Sequence, residues 1–256
     1  MSLVERAIDD HVMTITLSDE VHRNALGDEL MVELVEAIDE ANELANVRVV
    51  IVTNRGSVFC AGADLRERSS SHDPAIALAD LFEKIRSSPK VFVGRISGHC
   101  VAGGVGLAAV LDVSVAPDSA TFGFSEVRVG VAPAIISVVC LPKMHLASAQ
   151  SAFLRGNRFG AQEAARIGLI TLCVSPESLD STVRDIVNDL LAGAPDALAA
   201  TKEILRTIPT LSPADGFRWA THLSSTLFAR DEAREGISAF LDKRTASWVR
   251  RLGDPD

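Results

Sequence analysis

The chain has 256 residues, of which 47% are hydrophobic and 23% charged, a balance that excludes a disordered chain and argues against a membrane protein. Lysine and arginine total 25 against 34 aspartates and glutamates, which gives a formal net charge of -9. Because this chain has no overall basic field to hold a phosphate backbone, we expect no nucleic acid partner. The length and composition predict a soluble globular chain of the size of an enzyme, with a full core.

The weakly charged stretch at residues 96–111 spans 16 residues, fewer than the roughly 20 that a membrane-spanning helix needs, so we expect no membrane partner. Residues 1–10 carry charges of both signs and lack the apolar core of a secretory signal. We therefore expect a cytoplasmic location. The cysteines lack CxxC spacing and lie among apolar residues, which predicts buried free thiols in a reducing compartment; they are Cys60, Cys100, Cys140 and Cys173.

Strands and helices alternate in the first half of the chain. Residues 11–17 alternate apolar and polar side chains, whereas residues 48–53 and 91–96 are β-branched runs typical of strands covered on both faces. Apolar residues recur at helical spacing through residues 30–44, and Asp73-Pro74 predicts the start of a second helix that runs to about residue 87. This order predicts an α/β fold with crossover connections.

The last third of the chain is predicted to be helical. Apolar residues repeat through residues 134–150 and 178–191, and Ser212 followed by Pro213 is typical of a capped helix start. A final helix is expected near residues 231–243.

Searches for catalytic motifs exclude several chemistries. The sequence contains no HExxH, GxxxxGK[ST] or GxSxG motif, and its histidines do not cluster, so we expect no metal site. Gly104, Gly106 and Ala108 fit a dinucleotide fingerprint with Glu126 as its acid. In that fingerprint the strand runs directly into the first glycine, and the acid ends the following strand. Here residues 99–103 intervene before the first glycine, and Glu126 lies well beyond the next predicted strand, at residues 111–116, which disfavours this interpretation.

Two turns of small residues follow predicted strands, at residues 59–65 and 98–104. Missing side chains leave backbone amides accessible to a ligand, and amides at a helix start carry partial positive charge. Either segment alone is interpreted as an ordinary turn. If the two face each other, their amides would form an oxyanion hole.

These turns, together with five further segments, resemble the crotonase family, also called the enoyl-CoA hydratase/isomerase superfamily, over almost the whole chain. The resemblance implies a crotonase-like α/β fold, in which a spiral of repeated ββα units (residues 1–195) precedes a helical C-terminal region involved in trimerisation (residues 196–256). It also implies a homotrimer or homohexamer that binds an acyl-CoA substrate, with no cofactor beyond the coenzyme A of that substrate. The further segments are residues 23–26, 122–126, 130–133, 168–170 and 235–244.

The family's site residues carry over position by position onto this sequence. The resemblance places the two oxyanion amides on Ala63 and Gly103 and a catalytic acid/base on Glu126. It places Arg23 and Ala25 near the nucleotide end of coenzyme A. The other positions that resemble substrate-binding residues are Ala61, Asp64, Leu65, Gly104, Pro133, Phe240 and Lys243. For Phe240 and Lys243, ordinary core packing and a solvated charge remain open as alternatives.

The sequence departs from the family pattern at Gly106, where related hydratases usually carry a glutamate that works together with the one at Glu126. We expect the glycine to leave space for water or for a bulkier acyl chain. Residues 125–137 resemble the branched-chain hydratases of the methylglutaconyl-CoA type, which favours an enoyl-CoA hydratase. A Δ3-Δ2-enoyl-CoA isomerase and a catalytically silent acyl-CoA-binding protein remain alternatives.

Overall fold

A computed structural model describes residues 2–64 and 74–253. The strands of these residues are β1 (Val4–Asp9), β2 (Val12–Leu17), β3 (Val49–Asn54), β4 (Val58–Cys60), β5 (Val91–Arg95), β6 (His99–Val101), β7 (Val113–Pro117), β8 (Thr121–Gly123), β9 (Arg158–Gly160) and β10 (Leu172–Val174). The helices are α1 (Asp28–Glu43), α2 (Pro74–Ser87), α3 (Gly103–Val110), α4 (Ala134–Cys140), α5 (Leu146–Arg155), α6 (Ala161–Arg166), α7 (Leu179–Ala192), α8 (Pro195–Thr207), α9 (Pro213–Phe228) and α10 (Asp231–Leu241). Within this described part of the chain, no helix has both the length and the apolar character that crossing a bilayer requires.

The larger sheet has the strand order β1-β2-β3-β5-β7-β10. Strand β1 pairs antiparallel with β2, and the remaining neighbours are parallel. The predicted strands at residues 11–17, 48–53 and 91–96 are confirmed as β2, β3 and β5, and the α/β class is confirmed with them. Strand β1 was not predicted, because its residues after Val4 are exposed and carry no apolar alternation.

Helices cover both faces of this sheet, as the β-branched runs indicated. Within β3, Val50 and Val52 face the core that contains α1, whereas Val49 faces a second core formed with α7. The period-2 geometry of a strand sends these side chains to opposite faces. Burial on both sides explains why the strand is a continuous apolar run.

The smaller sheet has the order β4-β6-β8-β9 and supports the candidate site. Strands β4, β6 and β8 are parallel, and β9 closes the edge in the antiparallel direction. Each of these strands has only three residues, too few to show a hydrophobic period, so none of them is predicted from the sequence.

Helices α8, α9 and α10 form the last part of the chain, as expected. Ser212 caps α9 as predicted, because its hydroxyl accepts a hydrogen bond of 3.2 Å from the amide of Asp215. Phe240 in α10 is 82% exposed, so the alternative of core packing for this residue is wrong within a single chain. Lys243, just beyond α10, is also exposed, in line with the alternative of a solvated charge.

A partly buried ion pair joins α8 to the larger sheet. The ammonium of Lys202 lies 2.8 Å from the Asp112 carboxylate and donates to the carbonyls of Ile85 and Lys90. The same Asp112 carboxylate accepts a hydrogen bond from the Phe92 amide. Asp112 therefore joins α8 to β5 through these two partners.

Candidate active site

Three parallel strands bring the sequence-predicted catalytic residues to one edge of the smaller sheet. Cys60 in β4 pairs with Cys100 in β6, which in turn pairs with Phe122 in β8. Since neighbouring parallel strands end at the same edge of their sheet, the segments that leave β4, β6 and β8 start side by side. These segments contain Ala63, Gly103 and Glu126, respectively.

The first two segments interlock through glycines that have no room for a side chain. Gly62 has a φ of +87°, and a Cβ built there would lie 2.8 Å from the carbonyl oxygen of Val101 and 3.0 Å from the amide nitrogen of Gly103. A Cβ on Gly104 would lie 2.1 Å from the carbonyl oxygen of Cys60. The two turns therefore touch through their backbones, and only glycine permits this approach. Gly104, which the resemblance placed in the substrate-binding set, makes this structural contact.

Two backbone amides at this contact have no acceptor. Among residues 2–64 and 74–253, neither the Ala63 amide nor the Gly103 amide donates a hydrogen bond. They are neighbours, because a Cβ on Gly103 would lie 3.6 Å from the Ala63 nitrogen. Gly103 is also the first residue of α3, where the helix dipole adds partial positive charge. A pair of free amides of this kind can hold an oxygen that gains negative charge during a reaction.

The residue before α3 has an unusual backbone. Ala102 has φ 50° and ψ -119°, a conformation that residues with a side chain rarely adopt. It is fixed from both sides, because its amide donates to the Gly123 carbonyl at 2.9 Å and its carbonyl accepts from Val105 at 2.8 Å. The strained turn sets the direction of the Gly103 amide, and such strain is concentrated at functional sites.

Glu126 begins a 3-10 helix three residues after β8. The hydrogen bond from Ala102 to Gly123 connects this strand end to the start of α3. One carboxylate oxygen of Glu126, Oε2, is buried and has no hydrogen-bond partner among the described residues. Burial raises the pKa of Glu126, and a hydrogen bond from its own backbone opposes this shift. A partly buried carboxyl group with a raised pKa suits general acid/base catalysis.

The structure corrects the expectation for Gly106. This glycine is fully buried, and a Cβ at its position would lie 2.5 Å from Cγ2 of Ile136 and 2.9 Å from Cε2 and Cζ of Phe82. Apolar side chains from α4 and α2 thus occupy the place that was expected to be open to water or to an acyl chain. Neither Phe82 nor Ile136 was singled out from the sequence. The apolar spacing of α2 predicts only that Phe82 is a core residue.

The predicted coenzyme A positions near the first turn lie close together. The amide of Ala61 donates to the Arg23 carbonyl at 3.1 Å, and the amide of Leu26 donates to the Gly62 carbonyl at 2.7 Å. Residues 23–26 therefore run beside residues 61–63. The Arg23 side chain is exposed and forms no ion pair within the described part of the chain, so it is accessible to an anionic ligand.

The remaining predicted binding residues are more scattered. Ala25 is buried beside the first turn, whereas Asp64 is partly exposed at its end. Pro133 is buried at the start of α4, where its carbonyl accepts from Ser137. Leu65 lies outside the described residues. Phe240 and Lys243 are exposed at the end of α10.

Two other polar residues near the site have structural roles. The Nδ1 atom of His99 lies 3.1 Å from the Thr121 amide and accepts its hydrogen, which joins β6 to β8. Cys60 is fully buried, and burial raises the pKa of its thiol to about 12, so it is not a nucleophile at neutral pH. In the described ranges no group of three histidine, cysteine, aspartate or glutamate side chains could hold a metal ion.

Comparisons with known proteins show the family of the chain. The family model described as enoyl-CoA hydratase/isomerase matches residues 7–251. A Thermus thermophilus protein, provisionally named an enoyl-CoA hydratase, is 32% identical in an alignment of 242 residues that covers 91% of this chain and 96% of that protein. The 2,3-dehydroadipyl-CoA hydratase of Escherichia coli is 29% identical over 94% of this chain and 96% of its own length.

A solved structure shows the same architecture. The enoyl-CoA hydratase of Mycobacterium smegmatis superposes with a TM-score of 0.92 at 26% identity, over 98% of this chain and 100% of that one. The crotonase-like fold expected from the sequence is thereby confirmed. Because the family model spans nearly the whole chain and includes both amide-bearing turns, the chain belongs to the enoyl-CoA hydratase/isomerase family.

Proposed function

We propose that the protein is an enzyme that hydrates a 2-enoyl-CoA thioester. The observation that carries this proposal is the pair of free amides, Ala63 and Gly103, at the sheet edge from which Glu126 also extends. Two neighbouring donors without acceptors fit a thioester oxygen. The unpartnered carboxylate oxygen supplies the group that moves protons.

The reaction follows from these roles. The thioester oxygen of the substrate accepts hydrogen bonds from both amides, which draws electrons away from the double bond. Glu126 takes a proton from water as the water oxygen bonds to C3, and the electron pair of the double bond moves onto the thioester as an enolate. The same carboxyl group then returns the proton to C2, which restores the carbonyl. Each preorganised donor contributes about 10²- to 10³-fold in rate.

Water must be activated here by one carboxylate, since apolar groups from Phe82 and Ile136 surround Gly106. The resemblance of residues 125–137 to branched-chain hydratases supports a branched enoyl group. We further propose that the protein acts as a homotrimer or homohexamer in the cytoplasm, with the coenzyme A of the substrate as its only cofactor.

A Δ3-Δ2-enoyl-CoA isomerase is the second candidate, and the filled position at Gly106 favours it. Isomerisation needs no water, because one carboxyl group removes a proton from C2 and returns it to C4. The amide pair would stabilise the same kind of enolate. Glu126 alone therefore suffices for this chemistry.

The purified protein should be incubated with crotonyl-CoA, a 3-enoyl-CoA and 3-methylglutaconyl-CoA, while enoyl absorbance and product mass are followed. A mass gain of one water supports the hydratase, and conversion of the 3-enoyl-CoA without a mass change supports the isomerase. Glu126→Gln should lower turnover by at least about 10²-fold with little change in acyl-CoA affinity. Glu43→Gln, an exposed residue at the end of α1, is the matched control.

Full activity in Glu126→Gln would remove this carboxyl group from the mechanism. Acyl-CoA binding without turnover of any of the three substrates would instead support the catalytically silent alternative.

A further inference from the structure

A cavity of about 280 Å³ lies between α2 and α4, and Phe82 is part of its wall. The ring of Phe82 also reaches Gly106, because its Cε2 and Cζ atoms lie 2.9 Å from the position of a Cβ on that glycine. The Phe82 side chain therefore packs against α3 at Gly106 on one side and borders the cavity on the other. The ring is only 3% exposed, so it closes the gap between the two helices.

The distance along α3 from Gly103 to Gly106 indicates which acyl carbons the Phe82 ring would contact. Gly106 follows Gly103 by one turn of α3, a rise of about 4.5 Å. If the thioester oxygen lies on the Gly103 amide, an acyl chain that runs along α3 reaches the level of Gly106 within a few carbons. At that level it meets Phe82 from α2 and Ile136 from α4.

Glu126 lies near the same helix. The Val131 amide donates to the Glu126 carbonyl at 3.2 Å, within the short segment that leads from Glu126 to Ala134, the first residue of α4. The acid/base group and the apolar wall over Gly106 thus both adjoin α4. The acyl carbons that react and those that meet the wall are close neighbours.

The cavity beyond Phe82 has the chemistry of an acyl-binding space. Aliphatic and charged side chains line it together, and Val138 is 59% exposed, so the cavity opens to solvent on one side. The aliphatic residues are Ala79, Ile135, Val138 and Val139, and the charged residues are Asp80, Glu83 and Arg86.

We propose that Phe82 is the specificity-determining residue that ends the acyl pocket, so that the protein selects short or compact enoyl groups. The occupant that the cavity would admit without this ring is the distal part of a longer acyl chain. This inference rests on the proposed function, because it uses the amide pair as the anchor of the thioester. It assigns a role to Phe82 that is separate from the proton transfer by Glu126.

The test compares Phe82→Ala with the unaltered protein on crotonyl-, hexenoyl-, octenoyl- and decenoyl-CoA. We expect the unaltered protein to favour crotonyl-CoA. In Phe82→Ala, the ratio of kcat/KM for octenoyl-CoA to that for crotonyl-CoA should rise about tenfold or more, the scale on which apolar pockets discriminate chain size. Dissociation constants of the matching saturated acyl-CoA series should show the same shift without any need for turnover.

Three variants distinguish a change in acyl-chain selectivity from a general loss of stability. Leu81→Ala removes a buried side chain from the same helix but not from the cavity wall, and it should leave the ratio unchanged. Adding Ala79→Phe to Phe82→Ala refills the cavity and should reverse the gain. Phe82→Leu, which removes less volume, should shift the ratio in the same direction if Phe82→Ala does not fold.

Equal ratios in Phe82→Ala and Leu81→Ala would overturn the inference, as would tighter binding of octanoyl- than butyryl-CoA by the unaltered protein. A failure of the proposed function has a different signature. In that case no enoyl-CoA is converted, while the dissociation constants still report whether Phe82 limits the bound chain.

Discussion

Gly104→Ala tests the contact between the two amide-bearing turns. The new Cβ would lie 2.1 Å from the carbonyl oxygen of Cys60, whereas real Cβ atoms essentially never approach another atom within 3.0 Å. The obstacle is the backbone of β4, so α3 and β4 must separate by about 1 Å. Overpacking of this kind costs about 1–3 kcal/mol, although the better helix propensity of alanine returns up to about 1 kcal/mol. We expect a net loss of about 2 kcal/mol in the free energy of unfolding.

The same displacement should weaken catalysis, because it moves the Gly103 amide relative to the Ala63 amide. A misplacement of about 1 Å can cost on the order of 10²-fold in rate, so kcat/KM on crotonyl-CoA should fall by about that factor. Urea denaturation measures the first effect, and initial rates measure the second.

Gly103→Ala provides the stability control, since it changes the neighbouring residue of the same helix in the same way. Its Cβ would first meet the end of the Leu26 side chain at 3.3 Å, and a side-chain end can move at little cost. Its free energy of unfolding should therefore equal or exceed that of the unaltered chain by up to about 1 kcal/mol. Equal stability of the two alanine variants, or full turnover in a destabilised Gly104→Ala, would refute the argument that this contact positions the amides.

Four further predictions concern charge and strain. Burial raises the pKa of Glu126, so the acid limb of kcat/KM should lie above the ordinary glutamate range, and a limb within that range would contradict its role as the base. With its pKa raised, the Glu126 carboxyl group holds its proton more tightly in the folded chain than in the unfolded chain. The unaltered protein should therefore lose stability relative to Glu126→Gln as the pH rises from the pKa of the unfolded state towards that of the folded state. Urea titrations at several pH values measure this difference. Ala102→Gly should raise the unfolding free energy by up to about 1 kcal/mol, because it relieves the positive φ of 50°, and a lower Tm would contradict this. Asp112→Asn should lower stability by about 2 kcal/mol in urea, since it leaves the buried Lys202 ammonium without its carboxylate, and an unchanged midpoint would show that the pair contributes nothing.

The larger sheet could be predicted from the sequence because its signals are local. The alternation of Met13, Ile15 and Leu17 and the β-branched run of β3 follow directly from the period of a strand. The cap of α9 is equally local, since Ser212 and Asp215 are three residues apart. Where an element is determined by residues close to one another in the chain, its periodicity and capping residues suffice to predict it.

The smaller sheet shows where that reasoning ends. Its three-residue strands are stabilised by pairing with one another and not by their own sequence, as the pairs of Cys100 with Cys60 and with Phe122 illustrate. From their composition and their position after predicted strands, each glycine-rich turn is interpreted as an ordinary turn, and an oxyanion hole is expected only if the two turns face each other. That they face each other depends on the order β4-β6-β8, which no local pattern contains.

Gly106 is the strongest case of the same limit. From the sequence, the loss of a side chain implies added space, because the chain neighbours of Gly106 say nothing about what lies opposite. In the fold, Phe82 and Ile136 come from helices on either side of α3 in the chain and close over the glycine. A glutamate at residue 106 would have to displace both and bury its charge among them, so Gly106→Glu alone should destabilise the protein and not restore a second acid. Because the Phe82 ring fills the space over Gly106, a second carboxylate at residue 106 requires that Phe82 be replaced by a smaller residue at the same time.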